Sequence, residues 1–381
     1  MRPRKETTLF GLECTMKPAD RSSTAHDPQR RIRLAAVGDL LLTTKPWDRD
    51  SGRGLESLSR EIRDLFSSCD IVFANLECTL PGPERVPSEP RVIASPGQIR
   101  SLRDVGVHVV TLGNNHAFDC TDQGFHRLRD TLIELGVSSF GAGDTLSEAV
   151  RPAVLERQGI STAFLAAVDP STGPSRFASE TASGVVRLAV EGMCSAIKAL
   201  RENVNHVIVS PHWGEERFRI PSPRQIEQAR AFVDAGASMV LGHHPHVLQG
   251  LERCEGAAIA YSLGNFVSNH VYWDSGDYLT WSRFERTGCI LIAELDSAGV
   301  HSVRRIPTFD DGTRIRMDRS RRGLRYLALA DGLLARGNAQ KQYQREAFRV
   351  RRVHPFTSRL RWSYLRQLRA RHLLKDLGRR V

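Results

Sequence analysis

Short apolar segments alternate along the chain with segments in which apolar residues recur every three or four positions. Short apolar runs bounded by polar or turn-forming residues are typical of buried β-strands, whereas the wider spacing is typical of amphipathic helices. The alternation of the two patterns predicts an α/β fold. The predicted strands cover residues 32–37, 71–74, 107–112, 162–167, 206–210, 238–241, 257–261 and 289–295.

Three segments between these strands have helical patterns. Apolar residues recur at helical spacing within residues 55–66 and again within residues 125–135. A third helix is predicted from its ends, because Ser222 is suited to an N-cap, Pro223 to the first helical position and Gly236 to the position after the last turn.

The same patterns divide the chain into three parts. Residues 1–30 have no periodicity and few apolar residues, so we expect a loosely ordered leader. Residues 31–308 carry the alternating strands and helices of one α/β domain. Residues 309–381 lose the strand pattern and form an Arg-rich, partly helical C-terminal extension, with a short amphipathic helix predicted at residues 360–368.

The net charge of +11 is concentrated in this extension. Residues 301–381 contain 22 Lys and Arg against six Asp and Glu, so the rest of the chain is acidic overall. A basic segment of this kind attracts an acidic polymer or partner, or an anionic membrane surface. The extension has few aromatic residues between its arginines for stacking on bases, so no specific nucleic-acid binding is expected.

The seven cysteines are scattered singly and include no C-x-x-C pair, which favours reduced thiols. The N-terminal residues contain no apolar stretch of the kind found in signal peptides, and no apolar run approaches the ~18 residues of a membrane-spanning helix. We therefore expect a cytoplasmic protein, with peripheral membrane association through the basic extension as the alternative.

Polar side chains suited to metal binding follow five of the predicted strands. The carboxyl ends of strands in an open α/β sheet face one crevice, so these side chains are expected to converge. Carboxylate, imidazole and amide oxygen ligands without cysteine favour a catalytic site for Mn, Fe, Zn or Mg over a structural zinc site. The candidate ligands are Asp39, Glu77, Asn115, His212, His244 and His246.

Two divalent ions about 3.5–4 Å apart would need at least one shared carboxylate, and Asp39 and Glu77 are the candidates for that role. His244 and His246 are two residues apart in the string Gly-His-His-Pro-His. In an extended backbone both rings would point to one face, with Pro245 fixing the turn between them. This string is the most specific local signal in the chain.

Catalytic and substrate-binding roles are predicted for further residues of the same clusters. His116 follows Asn115 and is suited to act as general acid to a leaving group, with Asp119 as the carboxylate that orients its ring. The side chains predicted to contact substrate are Asn75, Asn114, Glu215, His243 and Asn265.

These clusters together resemble the CapA-type poly-γ-glutamate capsule-biosynthesis proteins, which are similar in fold to the calcineurin-like metallophosphoesterases. The resemblance spans about residues 32–308 and depends on the strings Val-Gly-Asp at 37–39, Ala-Asn-Leu-Glu at 74–77, Leu-Gly-Asn-Asn-His-Ala-Phe-Asp at 112–119, Pro-His-Trp-Gly-Glu at 211–215, Gly-His-His-Pro-His-Val at 242–247 and Tyr-Ser-Leu-Gly-Asn-Phe at 261–266.

The resemblance implies a four-layer α/β sandwich, in which two mixed β-sheets are flanked by helices and a dinuclear metal site lies among the loops at one edge. Metallophosphoesterases usually carry Asp-x-His in the first motif, whereas Leu41 stands in the position of that His here. One ligand of the first metal is therefore missing from the pattern.

Two functions are consistent with these observations. The first is a metal-dependent hydrolase in poly-γ-glutamate capsule synthesis, which cleaves a phosphoester or a γ-glutamyl amide with metal-activated water and His116 as general acid. The second is a non-catalytic component of polyglutamate synthesis or export that binds the anionic polymer. The clustered ligands favour the enzyme, and Leu41 favours the binding protein.

Overall fold

The computed structural model describes residues 30–48, 51–173 and 175–353. The strands in these residues are β1 (Ile32–Leu41), β2 (Ile71–Leu76), β3 (Val109–Thr111), β4 (Ser138–Phe140), β5 (Ala142–Gly143), β6 (Ala153–Arg157), β7 (Ile160–Val168), β8 (Gly184–Val185), β9 (His206–His212), β10 (Met239–Leu241), β11 (Leu251–Cys254), β12 (Ala257–Ala260), β13 (Asn265–Ser268), β14 (Val271–Tyr272), β15 (Tyr278–Leu279), β16 (Thr287–Leu295), β17 (Val300–Asp310) and β18 (Ile315–Met317). The helices are α1 (Arg60–Ser67), α2 (Pro96–Asp104), α3 (Thr121–Glu134), α4 (Leu146–Ala149), α5 (Val190–Arg201), α6 (Pro223–Asp234), α7 (Arg321–Ala335) and α8 (Ala339–Phe348).

Fourteen of the strands form two mixed sheets, and the pairs β5-β8 and β14-β15 form two small sheets of their own. The larger has the order β18-β17-β16-β1-β2-β3-β4, and β13 pairs with the end of β1. Within it β1, β2, β3 and β4 are parallel, whereas β16, β17 and β18 are antiparallel to their neighbours. The smaller sheet has the order β11-β12-β10-β9-β7-β6, with parallel strands at its centre and antiparallel strands at both edges.

The two sheets pack face to face, and each carries helices on its outer face. Leu34 and Phe73 of the larger sheet share a buried cluster with Phe164 and Ile208 of the smaller sheet. The rings of Phe73 and Phe164 stack with centroids 5.7 Å apart. Helices α1, α2 and α3 cover the opposite face of the larger sheet, and α5 and α6 cover that of the smaller one. The expected four-layer sandwich is therefore confirmed.

Burial on both faces explains why the central strands appear in the sequence as continuous apolar runs. Along β1, Leu34 and Ala36 contact the core between the sheets, while Ala35 and Val37 face the helices. Successive side chains of a strand point to opposite faces, so a strand covered on both sides has no polar face to alternate with.

The eight predicted strands are all present, and the predicted helices fall on α1, α3 and α6. Ser222 caps α6 as expected, because its side chain accepts a hydrogen bond from the Gln225 backbone while the Gln225 side chain accepts one from the Ser222 backbone. Residues 55–57 form a separate 3-10 turn rather than the first turn of α1. Short or polar strands such as β4 and β11 were missed, because they lack a long apolar run.

The C-terminal extension is described as far as residue 353. Strand β17 continues to Asp310, so the boundary predicted at residue 308 lies inside a strand, and β18 adds a further strand to the larger sheet. Helices α7 and α8 follow, and a π-helical turn covers Arg349–Val353. The helix predicted at residues 360–368 and nearly all of the predicted leader lie outside the described residues.

None of the helices in the described ranges is long and apolar enough to cross a membrane. The six cysteines located there are unpaired.

Candidate metal centre

The six candidate metal ligands come from the carboxyl ends of strands in both sheets. Asp39 lies near the end of β1, Glu77 follows β2, and His212 is the last residue of β9. His244 and His246 lie in the loop after β10. The strands β1 and β2 are parallel neighbours, as are β9 and β10, so their ends meet where the edges of the two sheets adjoin. This arrangement brings residues up to 207 positions apart into hydrogen-bond contact.

Two groups of side chains have the geometry to hold a metal ion. One consists of Glu77, His212 and His244, and the other of Asp39, Glu77 and His246, with the ligand atoms of each group within 4.8 Å of one another. Glu77 belongs to both groups. Its Oε1 atom lies 3.8 Å from His212 Nε2 and 3.7 Å from His246 Nε2. Of the two carboxylates predicted to be shared between ions, Glu77 lies in both groups and Asp39 in one.

Several buried polar atoms in and beside these groups have no hydrogen-bond partner among the described residues. They are Glu77 Oε1, His212 Nδ1, His243 Nε2 and His244 Nδ1. Buried polar atoms are nearly always satisfied in native proteins, and buried carboxylates require compensating positive charge. A divalent cation would give Glu77 Oε1 and the neighbouring nitrogen atoms a bonding partner and would supply the compensating positive charge. The residues present therefore fit the expected metal site.

The two carboxylates of the site have pKa values that are shifted in opposite directions. Burial raises the pKa of Glu77 to about 8. Burial also acts to raise the pKa of Asp39, but hydrogen bonds from His243 and His246 outweigh it and hold that pKa well below its usual value. Both donors are Nδ1 atoms 3.1 Å from the Asp39 oxygens. Asp39 is therefore an anion in the folded protein, and Glu77 is the carboxylate that a metal cation would keep ionised.

The pKa values of the site histidines are also shifted in opposite directions. Burial lowers the pKa of His244 to about 4, and it lowers the pKa of His212 well below the usual value. Neutral imidazole is the form that binds metals. Burial acts in the same direction on His246, but the charges of Glu77 and Asp39 and the hydrogen bond to Asp39 reverse the effect and raise its pKa to about 10. A metal ion at His246 would displace this proton.

The backbone of the Gly-His-His-Pro-His loop differs from the extended conformation that was predicted. His244 has φ +94° and His246 has φ +56°, so both lie in the left-handed region that residues with a side chain rarely adopt. The two rings converge, with centroids 5.7 Å apart, because the loop turns sharply at both positions rather than because of the two-residue period of a strand. Such strain is typical of functional sites.

Asn115 and His116 lie beside the histidine groups. The Asn115 side-chain oxygen is 2.8 Å from His212 Nε2. His116 Nδ1 donates to Asp119 Oδ2 over 2.7 Å, and the same oxygen accepts a hydrogen bond from the Val92 backbone over 2.8 Å. Burial acts to lower the pKa of His116, but the charge of Asp119 and its hydrogen bond raise it. The predicted pairing of a histidine with an orienting carboxylate is present in the structure.

Four of the five predicted substrate-binding residues hold the metal-site side chains in place. Asn75 donates to Asp39 Oδ1 over 2.8 Å and to Glu77 Oε2 over 3.1 Å, and its oxygen accepts from Asn114 over 3.1 Å. Asn114 also donates to the Leu76 backbone oxygen. All these side chains are buried. They position the carboxylates, and contact with a substrate stays a prediction.

His243 and Asn265 are also buried and form hydrogen bonds with metal-site residues. His243 is buried behind Asp39, with its ring beside Phe73. The Asn265 side-chain oxygen accepts from His246 Nδ1 over 2.9 Å, and its amide group donates to the Glu285 backbone oxygen over 3.0 Å. Each of these side chains orients a metal-site residue from behind.

Glu215, the fifth predicted substrate-binding residue, points toward the C-terminal extension. Its carboxylate accepts a hydrogen bond from the Tyr343 hydroxyl over 2.7 Å. The Arg351 Nη2 atom donates to both carboxylate oxygens, over 2.8 Å to Oε1 and 2.7 Å to Oε2. Glu215 belongs to neither of the two metal-binding groups.

Two neighbours of the site were not among the predicted site residues. The Trp281 ring lies 5.3 Å from the ring of His246. Glu216 is exposed to solvent; partial desolvation acts to raise its pKa, but the charges of His246 and His244 lower it. Trp281 lies in an irregular segment far along the chain, and nothing in the sequence near Glu216 distinguishes it from Glu215, so only the fold identifies either residue.

Leu41 has a purely structural environment. It is buried at the end of β1 in the cluster between the larger sheet and its helices. The position that carries His in metallophosphoesterases therefore contributes no ligand in this chain.

Comparison with known proteins shows the family of this chain. The model of the family "Bacterial capsule synthesis protein PGA_cap" matches residues 33–270. The PGA biosynthesis protein CapA of Bacillus subtilis is 32% identical over 238 residues, which are 61% of this chain and 62% of that protein. The capsule biosynthesis protein CapA of Bacillus anthracis is 27% identical over 254 residues, which are 64% of this chain and 61% of that protein.

The chain thus spans about three fifths of the length of these two relatives. Among solved structures, a novel phosphatase from Mycoplasma pneumoniae is similar at 15% identity and a TM-score of 0.45, covering 78% of this chain and 97% of that one. The family match covers well over half of the 381 residues and includes every candidate metal ligand. The chain belongs to the PGA_cap family of bacterial capsule synthesis proteins.

Proposed function

We propose that this protein is a metal-dependent hydrolase of capsule polymer synthesis that cleaves a phosphoester or a γ-glutamyl amide. The observation that carries the proposal is the position of Glu77, whose unpartnered oxygen belongs to two ligand groups at once. A shared carboxylate is the feature that distinguishes a two-ion catalytic site from a single structural ion. Divalent ions held by these residues would activate water and neutralise charge on the substrate.

The protein's own residues supply the remaining parts of the reaction. His116 is half-buried, carries the raised pKa of a proton donor and is oriented by Asp119, so it protonates the leaving group from its free Nε2 atom. Asn75 holds Asp39 and Glu77 in fixed positions, so neither carboxylate has to reorganise during the reaction.

A non-catalytic role in polyglutamate synthesis or export is the second candidate. The observation that favours it is Leu41, because a buried leucine stands where phosphoesterases carry a metal ligand. In this role the metal site would bind the carboxylates of the polymer without cleaving it.

The experiment that separates the two candidates combines metal analysis with hydrolysis assays. Purified wild type and His244→Ala are compared for metal content, and then for hydrolysis of a generic phosphodiester and of poly-γ-glutamate with added Mn²⁺. The enzyme predicts about two metal equivalents and turnover of one substrate in wild type, both reduced in the variant. Metal binding with no turnover of either substrate would favour the binding protein.

A further inference from the structure

A basic groove lies at the N-terminal end of α7, outside the residues matched by the family model. We call it the arginine groove. It has a volume of about 1010 Å³ and lies between α7 and the segment before β16. Its arginines are Arg283, Arg316, Arg321, Arg322 and Arg325.

The positive charge of the groove is largely uncompensated. Asp318 is the acidic residue in its lining, and it lies 3.7 Å from Arg283. Among the described residues no carboxylate lies within ion-pair distance of Arg321, Arg322 or Arg325, and all three side chains are exposed. Three arginines that converge on one concavity without acidic partners favour an anionic ligand.

Two of these arginines also have an unfavourable position in their own helix. Arg321 and Arg322 occupy the first turn of α7, where no acidic residue is present. The N-terminus of a helix carries partial positive charge, so cations there reduce helix stability, whereas a bound anion would be stabilised. Helix stability therefore does not explain why Arg321 and Arg322 lie in the first turn, whereas binding of an anion at this end of the helix would.

The shape and the aromatic residues of the groove narrow the class of ligand. Phe284 stacks on Tyr326 with centroids 4.4 Å apart, and Arg219 covers the Phe284 ring at 5.7 Å. Phe284 and Tyr326 are the two aromatic residues in the lining, fewer than the series of aromatic faces on which successive nucleic-acid bases stack. The groove is a concave region of the surface that is open to solvent. An extended chain with regularly spaced anionic groups would fill it.

We propose that the arginine groove binds an extended polycarboxylate chain, whose successive carboxylates accept hydrogen bonds from the arginines. The choice of carboxylates rests on the proposed function in capsule polymer synthesis, whereas the charge and shape of the groove do not depend on it. Guanidinium groups bind carboxylates through paired N–H donors, which favours arginine over lysine in such a surface.

The test is polymer binding by the full-length chain in the presence of EDTA, which prevents metal-dependent cleavage. Fluorescently labelled poly-γ-glutamate is titrated and followed by fluorescence anisotropy. The double variant Arg322→Gln with Arg325→Gln is expected to bind about 5-fold more weakly than wild type. Binding by wild type is expected to weaken with added salt.

Two matched variants remove the same charge elsewhere. Arg100→Gln with Arg103→Gln changes two exposed arginines at the same spacing on α2, and Arg366→Gln with Arg369→Gln changes two in the C-terminal extension. Both are expected to bind the polymer within about 2-fold of wild type. Equal weakening in all three variants would mean that net charge alone drives binding, and would overturn the proposal.

Further titrations use anionic lipid vesicles and a single-stranded oligonucleotide. The proposal is also overturned if the groove variant loses vesicle or oligonucleotide binding while polymer binding is unchanged. Thermal unfolding of each variant checks that the fold is intact. Since binding is measured without metal, a wild type that hydrolyses no substrate would contradict the proposed function and leave this result unaffected.

Discussion

At the scale of single residues, the site depends on how differently its two buried carboxylates are satisfied. Asp39 accepts hydrogen bonds from the rings of two histidines, from the backbone of His244 and from one asparagine. Glu77 has one oxygen held by Asn75, while the other faces His212 and His246 at distances too long for hydrogen bonds. Glu77 therefore belongs to both candidate metal-binding groups, whereas Asp39 belongs to one and is also held by the surrounding histidines.

Replacement of Glu77 by Gln should therefore remove metal from both groups. We expect the metal content to fall from about two equivalents to well below one, because the amide has no negative charge to share between cations. Elemental analysis after dialysis measures this. Glu215→Gln is the matched control and should retain its metal, since Glu215 belongs to neither group. Full metal content in Glu77→Gln would show that the ions bind elsewhere.

Asp119→Asn tests the role of His116. Asp119 raises the pKa of His116 and orients its ring, so the variant should lose activity by about 10- to 100-fold with its metal content unchanged. The alkaline limb of the pH–rate profile should move to lower pH, because the histidine loses its proton more easily without the neighbouring charge. An unchanged alkaline limb would argue against His116 as the acid.

At the scale of secondary-structure elements, α8 and the π-helical turn hold the loop that follows β9. Glu346 accepts hydrogen bonds from the backbone and side chain of Arg219, at 2.8 to 3.0 Å, and from Arg349. Arg349 in turn donates to the Arg217 backbone oxygen over 2.7 Å. Because this loop begins at the metal-site residue His212, the C-terminal helices help to fix one side of the site.

Glu346→Ala should loosen this loop. The variant leaves Arg219 and Arg349 without their shared carboxylate, so we expect the free energy of unfolding to fall by about 1–3 kcal/mol. Denaturant titration measures the loss, and hydrogen exchange should increase in residues 213–220.

Arg351→Gln is the control for Glu346→Ala. It breaks the more exposed pair with Glu215 and should change the unfolding midpoint little. Equal effects of the two variants would show that the buried position of Glu346 is unimportant.

At the scale of the whole molecule, the two sheets are joined by polar contacts as well as by their apolar core. His206, at the start of β9, is fully buried. Its Nε2 atom donates to the Asp296 backbone oxygen at the end of β16 over 2.7 Å, and its Nδ1 atom accepts from the Ser238 hydroxyl over 3.0 Å. These contacts require the neutral ring, and burial lowers the pKa of His206 to about 4.

This buried histidine predicts acid sensitivity of the fold. As the pH falls below 6.5, the unfolded chain gains a proton that the folded protein does not accept until about pH 4. His206 should therefore lower the free energy of unfolding by up to about 3 kcal/mol across this window, with full stability above it.

Denaturant titrations at several pH values measure this effect. His206→Gln should flatten the pH dependence between about pH 4 and 6.5, although its absolute stability is lower. His126→Gln, which changes a half-exposed histidine, serves as the control for replacing a histidine elsewhere in the chain. An unchanged slope in His206→Gln would assign the acid sensitivity to other groups.

Local sequence signals were sufficient for the elements that hold the site. The long apolar runs of β1, β7 and β16 and the capping residues of α6 act within a few positions of the chain, so the sequence predicts them directly. Polar residues at the strand ends predicted the metal-site residues, and motif resemblance added the four-layer arrangement. Strands such as β13 were missed, because a four-residue strand beside a Gly-Asn turn has no periodicity to detect.

The sequence by itself therefore determined the α/β class, the family and the identities of the side chains at the strand ends, since residue type and local pattern carry that information. Only the tertiary structure decided that Glu77 is shared, that His244 and His246 converge through left-handed backbone, and that Glu215 pairs with the extension. These features depend on contacts between residues far apart in the chain, and the packing of two sheets sets such distances.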